Sequence, residues 1–198
     1  MARNPDLQMI LTDALSKAGS ASSDFDLNAG IQLPKGRVLK PAAVLIGVTE
    51  NADVILTKRS ARLKHHPGQV AFPGGKQDPT DATLTDAALR EANEEIGLPV
   101  ENVKPLGALP PHETVTSYKI TPIVALIQGD FREIAEAGEV AEIFRAPLFH
   151  ITNPANFRVE GRRWQGDIRH YYTVPYGPYY IWGATARILR GLAECMNK

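Results

Sequence analysis

The apolar and polar positions of this chain fall into two helical stretches and one long strand-rich stretch divided by a third helix. Leu7, Ile10, Leu11, Ala14 and Leu15 recur at the spacing of one helix face, so residues 6 to 18 are expected to form a short amphipathic helix ended by Gly19. The segment GSASSDFDLNAG that follows is a linker by composition. From Val38 the pattern changes to apolar, β-branched runs. VLKPAAVLIGV and ADVILTKR read as two strands separated by Thr49 to Asn51, and QVAF as a third, stopped by Pro73, Gly74 and Gly75.

Residues 83 to 96 carry the clearest helical signal: Thr83 with Asp86 makes a capping box, the alanines favour helix, and Gly97 supplies the stop. VKPLGAL and YKITPIVALI then read as extended, with Pro122 predicting an edge or bulged strand for the latter. EVAEIFRAPLFHI leads into a short helix or loop. FRVEGRRW and DIRHYYTV alternate as a hairpin turning near Gln165 and Gly166, and IWGATARILRGLAECM closes as a helix. Helix, strands, helix, strands, helix predicts an α+β chain, a mixed sheet between helices in an α/β/α sandwich. Residues 1 to 36 are expected to be an N-terminal helix and linker, and residues 37 to 198 the main domain. The first helix would either dock on that domain or mediate a homodimer.

Composition narrows the function classes. Lys plus Arg number 22 and Asp plus Glu 22 in 198 residues, so no overall field favours nucleic acid or an anionic membrane. Cys195 is the single cysteine, which excludes an intramolecular disulfide and suits a cytoplasmic protein. Asp6 and Asp13 interrupt the apolar residues of the N-terminus, so no signal-peptide core is expected, and no apolar run approaches the ~20 residues of a membrane span.

The unusual chemistry lies in LREANEEIG, Leu89 to Gly97. At about 100° per residue, Glu91, Glu94 and Glu95 project within an arc of about 100°, beside the apolar stripe of Ala88, Ala92 and Ile96. Like charges at this spacing destabilise a helix, and the expectation is that no basic residue of the same helix relieves them. A hard divalent cation with oxygen ligands is the natural neutraliser, and Mg²⁺ held by few carboxylates typically shares its shell with substrate phosphates. Two other readings fail. A phosphate-binding P-loop needs Gly at position 70 and Ser or Thr after Lys76, where Val70 and Gln77 stand. A zinc site lacks H-E-x-x-H, and adjacent His65 and His66 point apart on any regular element.

These residues resemble the Nudix box: Gly, five residues, Glu, seven residues, Arg-Glu-apolar-x-Glu-Glu-x-Gly-apolar. Arg90, Glu91, Ala92, Glu94, Glu95, Gly97 and Leu98 match every specified position of the second half. In the first half, the gap from Gly75 to Arg90 is one residue longer, and Ala82 stands at the early Glu, with Asp81 and Asp86 nearby. The resemblance implies a Nudix fold and a pyrophosphohydrolase in which Glu91, Glu94 and Glu95 hold Mg²⁺ or Mn²⁺ and Arg90 orients a glutamate. Glu94 is one candidate base, and Glu113, Glu139 and Glu142 are others from later segments. Tyr118, Trp164, Tyr171 and Trp182 are candidates for stacking adenine.

Upstream, ILTKRSARLKHHPGQVAFPGG is similar to the extra signature of Nudix enzymes that hydrolyse coenzyme A. Ile55, Leu56, Thr57, Arg59, Ser60, Gly68 and Phe72 to Gly75 fall in register, while Lys64 replaces an Arg and keeps the charge without the bidentate fork. Coenzyme A carries an adenosine 3′-phosphate besides its diphosphate, and Arg59, Arg62, Lys64, His65 and His66 supply five potential donors in eight residues. Arg59, Lys64, His66, Gly74 and Gly75 are therefore the expected substrate-binding residues, and a small molecule the expected partner. The products implied are 4′-phosphopantetheine and adenosine 3′,5′-bisphosphate. The competing readings are a Nudix hydrolase of ADP-ribose, NADH or a dinucleoside polyphosphate, and a catalytically silent nucleotide-binding regulatory domain.

Overall fold

A computed structural model describes residues 5–28, 30–31, 36–164 and 166–198. In chain order the elements are α1 (Pro5–Ser16), β1 (Ser22–Ser23), β2 (Lys40–Thr49), β3 (Asp53–Arg59), β4 (Val70–Ala71), β5 (Gly74–Lys76), α2 (Leu84–Ile96), β6 (Val103–Ala108), β7 (His112–Glu113), β8 (Tyr118–Ile127), β9 (Val140–Pro147), α3 (Leu148–Ile151), β10 (Arg158–Trp164), β11 (Asp167–Thr173) and α4 (Gly183–Met196). Among the described residues, nine strands join one mixed sheet, in which β2 runs parallel to β8 over ten paired residues and antiparallel to β3 and β5. β10 and β11 form a separate antiparallel hairpin. Gln165, expected near its turn, lies outside the described residues.

Alternation along β2 explains why the sheet has helices on both sides. Ala43 and Leu45 join the core beneath α2, where Ala87, Ala88, Ala92 and Ile96 face Ile55, Ile123, Ala125 and Ile127. Ile46 and Val48 point the other way, into a second core shared with Leu7, Leu11 and Ala14 of α1 and Ile188, Leu189 and Leu192 of α4. A strand covered on both faces carries a nearly continuous apolar run, as VLKPAAVLIGV does. The first helix thus docks on the same body of structure as the last. The result is the α/β/α sandwich that the order of elements predicts.

Two local expectations need correction. Pro73, Gly74 and Gly75 do not simply stop a strand: the glycines begin β5 and pair with β2, Val44 opposite Gly74 and Ala43 opposite Gly75. Gly74 has φ 152°, and a Cβ there would lie 2.4 Å from the Ala43 carbonyl oxygen, so only glycine lets the two backbones meet. Pro122 does not mark an edge either. β8 is central, and Pro122 lies where its outer partner changes from β6 to β7. Its carbonyl accepts from Leu109 N at 2.9 Å between those two short strands, on the side where its missing N–H costs no ladder bond.

Candidate functional site

α2 begins and ends as its sequence dictates. Thr83 and Asp86 exchange both bonds of the capping box, and Gly97, at φ 70°, donates its N–H to the Ala92 and Asn93 carbonyls. With its alanines against the sheet, the helix lays Glu91 and Glu95 along β5. Glu95 is 6 % exposed, and its Oε2 accepts from Gly74 N at 3.1 Å. Glu91 occupies the space that a side chain at position 75 would fill, since a Cβ on Gly75 would come within 2.4 Å of Glu91 Oε1. The two glycines therefore differ in purpose: Gly74 admits β2, and Gly75 admits a carboxylate.

The expectation that no basic residue of the helix relieves the acids is wrong, because Arg90 stands four residues before Glu94. Its Nη1 donates to Glu94 Oε2 at 3.0 Å and to Glu91 Oε1 at 3.1 Å. Its other edge binds Asp81 through two parallel bonds of 3.0 Å and the Lys76 carbonyl at 3.1 Å. Arg90 is thus a hub joining the 76–81 loop to the acidic face, a role that suits a planar five-donor fork. Asp81, with a side chain 5 % exposed, stands in the sequence as an acid near the early Glu position to which the sequence alone assigns no role. Counting back from Arg90 lands on Ala82; counting five intervening residues forward from Gly75 lands on Asp81. The Arg90 hydrogen bonds hold the Asp81 carboxyl below the usual carboxylate range, helped by the Asp78 N–H.

Burial pushes Glu95 up to about 7 against the opposing Gly74 N–H, with Glu91 and Glu139 raising it further and Arg59 easing it. Glu91 is raised by burial first, then held back by Arg90, with Glu94 and Glu139 adding to the rise. Two acidic side chains held in partial burial with raised affinity for a proton are what a cation would relieve. The donor chemistry fits Mg²⁺ or Mn²⁺: Glu91 Oε2, Glu94 Oε1 and Glu95 Oε1 accept no hydrogen bond among the described residues. The arrangement itself is not a finished cage. Among the described residues no three Asp, Glu, His or Cys side chains converge at coordination distance, and Glu94, 57 % exposed, is turned outward onto Arg90.

The later acids separate clearly. Glu113 is paired with Arg37, and Glu142 accepts from the Tyr179 hydroxyl. Glu139 stands beside Arg59, where Ser60 N donates to the Glu139 carbonyl at 2.7 Å, and it is the one of the three whose charge is felt by both Glu91 and Glu95. The 60–69 loop leaves β3 at an irregular register between Lys58 and Arg59, and Arg59 closes it by exchanging backbone bonds with Gln69 O and Gly68 N. Arg59 Nε is buried without a hydrogen-bond partner among the described residues. His66 lies in this loop with φ 55°, its imidazole pKa lowered first by desolvation and then by Arg59. Lys64 is exposed and makes no hydrogen bond or ion pair among the described residues. Tyr118, Tyr171 and Trp182 are partly exposed, and the Trp164 side chain lies outside what is described.

The NUDIX domain model matches residues 38–164, nearly two thirds of the chain. A protein of Citrobacter koseri named "Uncharacterized Nudix hydrolase NudL" is 43 % identical over 156 residues, covering 78 % of this chain and 81 % of that protein. Its namesake in Enterobacter sp. is 42 % identical over the same length and shares of the two chains. A solved MutT protein from Methanosarcina mazei Go1 aligns with 60 % of this chain and 83 % of its own at 23 % identity and a TM-score of 0.48. That likeness is partial, and the assignment stands on the domain match and the sequence relatives. A strand-loop-helix unit with an Arg-centred acidic face, inside a chain matched over this length, means that the protein belongs to the Nudix hydrolase family.

Proposed function

We propose that this protein hydrolyses the diphosphate of coenzyme A or its derivatives, giving 4′-phosphopantetheine and adenosine 3′,5′-bisphosphate. The observation that carries this reading is the pairing of two features at one end of the sheet. An acidic face organised by Arg90 lies on α2, and a basic loop begins at Arg59, whose buried Nε has no partner among the described residues. A buried guanidinium nitrogen without an acceptor is costly, and a substrate phosphate would supply one.

In this reading Glu91, Glu94 and Glu95 hold Mg²⁺ or Mn²⁺, which when bound would polarise the phosphate oxygens and lower the pKa of water. Arg90 keeps Glu91 and Glu94 in place through its Nη1, and Asp81 keeps Arg90 in place through its two carboxylate oxygens. Gly74 N–H fixes Glu95. Water adds to one phosphorus, the bridging P–O bond breaks, and the other phosphate leaves with the bridging oxygen. Glu139, which takes no part in the pairings that occupy Glu113 and Glu142, would accept the water proton. Arg59 and Lys64 would receive the 3′-phosphate, with His66, Gly74 and Gly75 bordering the diphosphate.

The test is turnover with Mg²⁺ or Mn²⁺ across coenzyme A, acyl-CoA, ADP-ribose, NADH and diadenosine polyphosphates. The expected result is the highest kcat/KM for coenzyme A or an acyl-CoA. A preference for one of the others would replace the substrate and leave the acid machinery standing; binding without turnover of any would favour a silent regulatory domain.

A further inference from the structure

The two outer edges of the β10–β11 hairpin are treated differently. β11 is tied to the domain: Tyr172 lies beneath Arg187 and Arg190 of α4, 5.7 and 5.9 Å from its ring centroid. Its outer edge is closed by Asn28, whose Nδ2 donates to the His170 carbonyl at 2.9 Å and whose Oδ1 accepts from His170 N at 2.8 Å. β10 forms the opposite edge, and among the described residues no strand but β11 pairs with it. Because His170 turns its backbone groups away from β10, its direct partner Gly161 turns its own N–H and C=O away from β11. Val159 and Arg163, two residues to either side, do the same.

An open edge is a template for another strand, and proteins blunt it with proline, bulges or charge. β6 shows the first two devices, Pro105 and an irregular register before Gly107. β10 has neither over its seven residues, and Val159 and Ile168, 53 % and 59 % exposed, stand on one face of the hairpin. What remains is charge, and its order is self-complementary. Antiparallel pairing of two copies about Gly161 sets Glu160 opposite Arg162 of the second copy, and by symmetry does so twice. The Glu160 carboxylate is held by the Tyr180 hydroxyl at 2.6 Å and the Thr173 hydroxyl at 3.4 Å, which leaves it acceptor capacity for a guanidinium. Gly161 itself brings no side chain to the axis. Ile168 covers it instead, since a Cβ there would come within 2.9 Å of Ile168 Cγ2. With paired strands about 4.8 Å apart, the two Ile168 side chains would meet above the axis, and the stem of the opposing Arg163 would cover Val159.

We infer that this chain forms a two-fold homodimer by antiparallel pairing of β10 with β10 of a second copy, centred on Gly161. An unrelated strand would have to match an acid and a base two residues apart, whereas a second copy supplies the match by symmetry. The interface also gives Gly161 a reason to interrupt a strand, because close approach at the axis needs a residue without a side chain. One strand per subunit is a small contact, so the dimer should dissociate on dilution. The inference is independent of the substrate.

Sedimentation equilibrium of the full chain over a dilution series tests the pairing. The wild type should approach twice the 21.6 kDa chain mass when concentrated and fall toward one chain mass on dilution. Val159→Pro removes an outward N–H, and Arg162→Glu sets an acid against Glu160 of the second copy. Each should stay at one chain mass throughout while keeping the wild-type circular dichroism spectrum. Glu160→Arg alone should be monomeric too, but its equimolar mixture with Arg162→Glu should regain the doubled mass, because both opposed pairs are then complementary. A wild type that stays monomeric would overturn the inference. So would a dimer that persists in folded Val159→Pro and Arg162→Glu, which would give the interface to another surface. A mixture of the two folded charge variants that stays monomeric would overturn the register centred on Gly161; should Glu160→Arg fail to fold, Val159→Pro and Arg162→Glu decide.

Discussion

The acidic face of α2 and the 60–69 loop are neighbours built on opposite principles. On the helix, Arg90 alone makes four hydrogen bonds to side chains and one to a carbonyl, Gly74 fixes Glu95, and the Asp81 side chain is almost wholly buried where it holds Arg90. In the loop, His66 is held at a left-handed φ, and among the described residues Lys64 is exposed and unbonded and Arg59 keeps a buried nitrogen without a partner. The charged groups of the helix are tied to one another and to the 74–81 segment; two basic groups of the loop, Lys64 and the Arg59 Nε, have no such tie among the described residues. That difference teaches that the groups proposed to cleave the bond are held in place by the chain itself, whereas the groups proposed to choose the substrate would be completed by the substrate. Mutations should therefore cost rate in the first region and affinity in the second.

The largest effect should come from the helix. Glu91→Gln or Glu95→Gln should lower kcat on the order of 100- to 1,000-fold while the circular dichroism spectrum and cooperative melting persist. Near-wild-type kcat in both variants would break the distinction between the regions. The next effect is on stability without metal. Glu95 binds its proton more tightly folded, at about 7, than in the unfolded chain, at about 4.5. Its favourable contribution is present below about pH 4.5 and lost as pH rises through about 7, so the metal-free protein should be less stable at pH 8 than at pH 5 by up to about 3 kcal/mol. Urea melts should show this loss, Mn²⁺ should restore stability at pH 8, and Glu95→Gln should flatten the profile. A profile equally steep in Glu95→Gln would assign the effect to another group.

Arg90→Lys should follow, since an ammonium cannot bind Asp81 in parallel while reaching Glu91 and Glu94; about 1–3 kcal/mol should be lost in urea melts, together with kcat. The smallest effect, and the sharpest test of the loop, is Arg59→Ala. Coenzyme A should be preferred over 3′-dephospho-CoA by the wild type, and the variant should narrow that gap through KM with kcat little changed. Equal kcat/KM for the two substrates in the wild type would remove the 3′-phosphate role.

Much of this was legible in the sequence for physical reasons that are local. Thr83, Asp86 and Gly97 define α2 because capping is decided within four residues, and the 91, 94, 95 spacing places three acids on one face for any regular helix. Gly75 was legible as a special position, but its reason, the volume occupied by Glu91, requires β5 to lie along α2. Pro122 misled because a proline tolerated inside a sheet depends on what its neighbouring strand does at that point, and only the break between β6 and β7 supplies that.

The sequence by itself determined the helices, the alternation that buries both faces of β2, and the crowding of like charges on α2, since each depends on period and spacing alone. The tertiary structure decided how those charges are shared. It brought Asp81 back onto Arg90 across nine residues, let the charge of Glu139, just before β9, be felt by Glu91 and Glu95, and removed Glu113 and Glu142 by giving them Arg37 and Tyr179. A charge acts on whatever lies within a few ångströms, and for these groups that distance is spanned by the fold rather than by the local chain.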